Sequence, residues 1–539
     1  MPRVAVLATA MSARRPTSYL GSVPSGPRAR TMRRLRRWRR ERARDRRSRQ
    51  EIRSRQKMSP RGVRYVYTRR ARRIALETVA TLLAGGLLAM APAGVQSEGG
   101  PWSPPALVSP CSSIGAPTIP FPSDRPTHGT GPGAVVWGAS AACAGGAGVR
   151  ISAIAPSTDA PEAARIPRAG GGRALALGGP AAAGAAPGQI LLAGRGAAGA
   201  DSGLALSEGP ARGGSFSAPL ATGGRSTPLA LTDAYLGDVA LASPGPSRNS
   251  GGGAIELRVH RYYMRTFAPA VPITGARSLE SLTLAMDYRS DALAVWERDG
   301  QIYARFMPGS DRSEHAAVRV AFAEPGARIA ATLSDDNRAI LAWSETRDAI
   351  TSVYAELSST GVRFGAPRLL ERFADPGGLA PPNGSPRLVR LLSESVMLAW
   401  TGASDGHWVV HTAAVDLNGV RTIETISPPG GDALLADLAP GPKGEAYALW
   451  SEPGPGGSGP RPGGSGLDLR DQALYSARGI DAYPGRTIFG RPELVTAPGT
   501  PGSSGEAAIA VDPDTDRPLA AWRTSSGAIY YSLRALGGA

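Results

Sequence analysis

The chain of 539 residues contains only two lysines, Lys57 and Lys443, among 61 basic residues, together with two cysteines, five histidines and 6% aromatic residues. Two cysteines and five scattered histidines do not supply the ligands of a zinc site, so no metal or cofactor is expected. The G-x-S-x-G elbow, the H-E-x-x-H pair and the Walker loop are all missing. Nucleophilic-elbow, zincin and nucleotide chemistry are therefore unsupported, and no catalytic residue is assigned. No stretch after residue 100 sustains a 3.6-residue apolar period, which excludes long amphipathic helices and leaves very little helix of any kind. The scarcity of lysine beside abundant Arg, Ala, Gly and Pro is the composition of a high-GC bacterial genome.

The net charge of +17 is unevenly placed. Residues 1–73 hold 25 Lys and Arg against Glu41, Asp45 and Glu51, a net of +22, which leaves the remainder at −5. Nucleic-acid binding by the later part thus has no electrostatic basis. After the basic stretch comes IALETVATLLAGGLLAMAPA, Ile74 to Ala93, whose uncharged core Val79–Met90 is short for a membrane span. A basic flank, a short apolar core and the A-x-A of Ala91–Ala93 read as a secretory signal cleaved after Ala93, by a Sec or twin-arginine route. An uncleaved anchor with the rest of the chain outside is the alternative. Met58 opens a signal of normal length, so residues 1–57 read as an Arg-rich disordered extension upstream of the true start. The division expected is 1–57 extension, 58–93 signal or anchor, and 94–539 folded domain.

What is present in that domain is a repeat. Trp296, Trp343, Trp400, Trp450 and Trp522 each end a run of small apolar residues, at intervals of 47, 57, 50 and 72. The longest interval contains the flexible PGPGGSGPRPGGSG of Pro453–Gly466. Trp137 ends a similar run 159 residues before Trp296, and QILLA (Gln189–Ala193) and DVALA (Asp238–Ala242) fall where two degenerate units are needed. Eight units result, or seven if 170–253 makes one. The units split into four short strands between Gly, Pro, Asp and Ser turns, as in SLTLAMDY, DALAVW, QIYARF and AVRVAF of the fourth. The fold expected is an all-β propeller of eight blades, with seven as the alternative, in which the tryptophans fill space between blades.

A second phrase marks the fourth strand: SFSAPLAT (Ser215–Thr222), RFGAPRLL (Arg363–Leu370) and IFGRPELV (Ile488–Val495). It also occurs at the start of the domain as PWSPPALV (Pro101–Val108), whereas the last unit stops after its third strand. An orphan first strand and an incomplete last blade complete one another, closing the ring and removing its open edge. Cys111 and Cys143 are expected to form a disulfide in the first unit, consistent with an oxidising compartment.

Glu297, Glu345 and Glu452 follow their tryptophans closely, and Asp405 lies in the matching hairpin of a fourth unit. On one rim these acids would form a possible ligand site, although wet hairpin tips carry charge for solubility alone. DPDTDRP (Asp512–Pro518) opens like a calcium loop but has Arg517 at its sixth position and Arg523 at its twelfth, so it reads as a solvated turn. Through LAVWERDGQIYARF and LAAWRTSSGAIYYSLR, residues 100–539 resemble secreted bacterial β-propeller repeat proteins, including sialidase-like ones. The sialidase S-x-D-x-G-x-x-W box is absent, its nearest run being SDDNRAILAW, and no arginine triad aligns. The expected function is a monomeric, exported binding or scaffold propeller without catalysis, its partner an envelope or extracellular protein or glycan, with membrane contact only through an uncleaved 74–93 segment. The alternatives are a secreted carbohydrate-active hydrolase or lyase, and a membrane-tethered structural module.

Overall fold

Runs such as ALAVW and AILAW bury both faces, so they show little of the apolar–polar alternation of a half-exposed strand. In the computed structural model they are the second strands of a β-propeller: Ala292–Arg298, Ala339–Arg347, Val396–Ser404, Glu445–Glu452 and Pro518–Arg523. Within residues 102–535 the structure describes the sheets and many of their connections, the longest excluded segments being 121–132, 155–167 and 454–470. The signal or anchor segment and the Arg-rich extension lie outside the described residues. No α-helix occurs among those described, and no helix there is long and apolar enough to cross a membrane.

Eight antiparallel sheets follow one another in chain order. Seven have at least four strands; the remaining one, Ser113–Thr118, Gly133–Ala139 and Gly148–Ile154, has three among the described residues and is blade 1. Blades 2 to 8 begin at Leu177, Ala230, Ser281, Arg328, Arg387, Leu434 and Ala507. First strands of successive blades contact one another around the whole ring, from blade 1 through blade 8 and back to blade 1. The degenerate phrases QILLA and DVALA begin the second strands of blades 2 and 3, Gln189–Gly196 and, one residue later, Val239–Pro244.

Blade 8 is completed as the sequence implies. Ala106–Ser109 pairs antiparallel with Ile529–Leu533, aligning Ala106 with Tyr531 and Leu107 with Tyr530. Ser103 strengthens the join: its amide donates to the Leu533 carbonyl at 2.7 Å, its carbonyl accepts from Ser532 Oγ at 2.7 Å, and its Oγ accepts from the Leu533 amide at 3.1 Å. The fourth-strand phrase is not one continuous strand, however. Strand structure resumes immediately after its proline in each case, at Ala106, Leu220, Arg368 and Glu493. Proline has no amide to give the ladder, which breaks there. The preceding aromatic anchors an earlier contact, as in the isolated bridges of Trp102 with Arg534 and Phe364 with Ser358. In blade 2, Ser215–Phe216 instead pairs in parallel with Arg168–Ala169, which corrects the expected unbroken strand over Ser215–Thr222.

The six repeat tryptophans are buried, and each reaches the preceding blade. Trp343 packs with Leu293 and Val295 of blade 4, Trp400 with Val353 and Ala355 of blade 5, and Trp137 with Leu519 and Ile529 of blade 8. Directly across the hairpin stands a tyrosine in four blades: Trp296–Tyr303, Trp343–Tyr354, Trp450–Tyr475 and Trp522–Tyr530. Their rings stack with centroids 5.3–6.3 Å apart. Burial of each indole stabilises by about 2–3 kcal/mol and the stacking adds about 0.5–1.5 kcal/mol. Cys111 and Cys143 form a disulfide, with Cα atoms 5.4 Å apart, in the region where the ring closes.

Candidate functional site

Strand parity decides what the sequence-predicted acids can do. Glu345 is two residues after Trp343 and shares its side, towards blade 4; Glu297 is one residue after Trp296 and faces the opposite way, towards blade 5. Both therefore meet the connection between those blades. Glu297 Oε1 accepts from the Gly300 amide at 2.8 Å and Oε2 from the Gly326 amide at 3.4 Å. Glu345 Oε2 accepts from the Glu324 amide at 3.0 Å, and Arg347 pairs with Glu324 at 3.1 Å. Burial pushes the Glu345 carboxyl above the ordinary carboxylate range, against the Glu324 amide that stabilises its charge.

The other two acids lie apart from this connection. Glu452 accepts from its own repeat tryptophan, Trp450 Nε1, at 2.7 Å, and burial raises its pKa as well. Asp405 is exposed at the tip of a two-residue turn, where Asp405 and Gly406 have φ of 51° and 80°. These positive values are those of a hairpin turn that favours Asp-Gly. The structure thus gathers Glu297 and Glu345 around one connection and leaves Asp405 and Glu452 on later blades.

On the opposite face of the second strand of blade 5, Ser344 and Thr346 alternate with Glu345. There a cavity of about 190 Å³ is lined by Arg328, Ser344, Thr346 and Thr351, with Pro325, Gly326 and Gly384 at its edges. Register explains the gathering: Arg328 is opposite Ser344, and Thr346 is opposite Thr351. Thr346 and Thr351 share a hydroxyl–hydroxyl bond of 2.7 Å, and Ser344 Oγ donates to the Gly384 carbonyl at 2.6 Å. Behind Thr351 lies buried Asp375, whose carboxyl burial raises while the Thr351 hydroxyl opposes the shift. The donor group of the lining is Arg328, whose guanidinium has five N–H groups that a single contact does not exhaust, whereas the Ser344 proton is committed to the Gly384 carbonyl. Arg328, Ser344, Thr346 and Thr351 were missed in the sequence, where the only signal was a run of polar residues alternating with the more conspicuous acid.

Blade 6 departs from the tryptophan–tyrosine pattern, with His411 opposite Trp400. Glu371 of blade 5 accepts from Trp400 Nε1 at 2.5 Å and approaches His411 Nε2 at 3.3 Å. The remaining imidazole nitrogen meets Thr425 Oγ1 at 3.0 Å. This chain of contacts ties the two blades together. DPDTDRP lies between the first and second strands of blade 8, where Thr515 donates to Asp512 at 2.7 Å. No group of three or more His, Cys, Asp or Glu side chains among the described residues could hold a metal ion.

No family model and no curated protein matches the chain. Among solved structures it is similar to an ulvan lyase of polysaccharide lyase family PL25, at 13% identity over 79% of this chain and 96% of that one, with a TM-score of 0.39. The Dos1 propeller is 10% identical over 82% and 96% of the respective chains, with a TM-score of 0.45. An α-L-arabinofuranosidase of Fusarium graminearum is 11% identical over 65% and 90%, with a TM-score of 0.33. The propeller assignment stands on this chain's own strand order, and these likenesses assign it no activity.

Proposed function

We propose that the chain is an exported binding propeller that holds an anionic ligand in the blade 5 rim cavity and does not transform it. The observation that carries this reading is the lining by Arg328 and three hydroxyl-bearing residues, with Glu297 and Glu345 occupied by backbone amides. A carboxylate on a sugar unit suits a guanidinium. The Cys111–Cys143 disulfide supports an extracellular or envelope setting, because such bonds persist in oxidising compartments.

Calorimetric titration with trigalacturonate, using cellotriose as the neutral control, tests the reading. The acidic sugar is expected to bind more tightly, and Arg328→Met to weaken it by about 10- to 100-fold. Indifference of trigalacturonate binding to Arg328→Met refutes the assignment. Polymeric galacturonate incubated with the protein separates binding from catalysis: new reducing ends, or absorbance from an unsaturated product, would instead establish the hydrolase or lyase class.

A further inference from the structure

A second cavity, of about 260 Å³, opens between the outer strands of blades 6 and 7 and has different chemistry. Its blade 6 wall carries Thr412 on the third strand and Arg421, Thr422 and Glu424 on the fourth. Thr412 stands directly opposite Glu424 in the antiparallel register, so the two share a face; the register shifts at Arg421 and Thr422, and both of these line the cavity. Met397 and Ala414, both buried in the core between blades 6 and 7, are among the apolar members of the lining. Blade 7 contributes Thr487, only 6% exposed, to the lining, and its buried hydroxyl has no hydrogen-bond partner among the described residues. A buried hydroxyl left unpaired is destabilising and is satisfied by an incoming polar group.

The electrostatics disfavour an anion here. Arg421 directs Nε, at 2.8 Å, and Nη2 to Asp416 Oδ2, so its charge is already compensated. No ion pair reaches Glu424 among the described residues, which leaves a carboxylate as the unbalanced charge of the wedge. A carboxylate accepts two hydroxyl protons at once, and threonines both donate and accept. We infer that this wedge is a binding subsite for one neutral sugar ring, its hydroxyls directed at Glu424 and Thr487. The proposal does not depend on the anion-binding reading of blade 5.

The full chain is titrated with cellohexaose, maltohexaose, mannohexaose and xylohexaose, with binding followed by calorimetry and by saturation-transfer NMR. At least one is expected to bind at submillimolar to millimolar concentration. Thr487→Val, which keeps the side-chain shape and removes only the hydroxyl, is expected to weaken it about 5-fold, and Glu424→Gln at least about 10-fold. Arg328→Met is expected to leave this binding unchanged, which separates the wedge from the rim cavity. A thermal midpoint of Thr487→Val no lower than that of the unmodified protein confirms that its effect is not unfolding. The inference is overturned if none of the four oligosaccharides binds at millimolar concentration, or if binding is indifferent to both Thr487→Val and Glu424→Gln.

Discussion

Replacing Asp287 by asparagine should stabilise the protein at neutral pH but not in acid. Asp287 lies in the turn between the first and second strands of blade 4, with only 1% of its surface exposed. Its Oδ1 accepts from the amides of Arg289 at 2.9 Å and Asp291 at 2.8 Å, while Oδ2 is buried with no hydrogen-bond partner among the described residues. Burial, followed by the Asp291 and Asp335 carboxylates, raises its pKa from 3.8 to about 6, against the two amides that lower it. A folded-state value above the unfolded one means that the native protein holds a proton which the unfolded chain has released. Its contribution is fully present below pH 3.8, declines between 3.8 and 6, and is lost above that range. The separation corresponds to at most about 3 kcal/mol. Asparagine keeps the Oδ1 acceptor and never ionises. Urea unfolding followed by tryptophan fluorescence between pH 3.5 and 7.5 should show the stability of Asp287→Asn relative to the parent rising by about 1–3 kcal/mol across that interval. Any constant effect of the substitution cancels in this difference. A relative stability that stays flat, or falls, with rising pH would refute the reasoning.

Ala349 occupies the second central position of the blade 5 hairpin turn with a φ of 57°, where the corresponding turns of blades 4 and 6 use Gly300 and Gly406. Ala349→Gly should therefore raise stability by up to about 1 kcal/mol, the relief of left-handed strain exceeding the added unfolded-state entropy. A lower thermal midpoint would contradict this. Replacing both Cys111 and Cys143 by serine should cost about 3 kcal/mol, since the bridge joins residues 32 apart and restricts the unfolded chain. Denaturant titration with and without reductant checks it: the parent should lose stability on reduction and the double variant should not respond.

Much of the ring was legible because its strongest signals are local. The small apolar residues before each tryptophan and the turn chemistry of Arg298–Asp299–Gly300 specify strands and hairpins within a few residues. Ring closure could be read because two incomplete units shared one phrase. The bend inside that phrase was equally visible in its proline, but the strand was expected to run through it. At the candidate site the sequence placed Glu297 and Glu345 at nearly the same distance after a tryptophan. A difference of one residue reverses the side of a strand, so one acid faces forward and the other back, and both meet backbone amides of the same connection.

Periodicity and turn residues in the sequence by themselves determined an all-β repeat, the packing role of its tryptophans and the pairing of its ends, because strands and hairpins are encoded by near neighbours. Only the tertiary structure decided which polar side chains meet. Arg328 stands opposite Ser344 in a first-to-second-strand ladder, and Thr487 of blade 7 and Glu424 of blade 6 line one wedge between sheets. Those meetings depend on register and on how twisted blades pack against each other, quantities fixed by the whole ring rather than by any short stretch of chain.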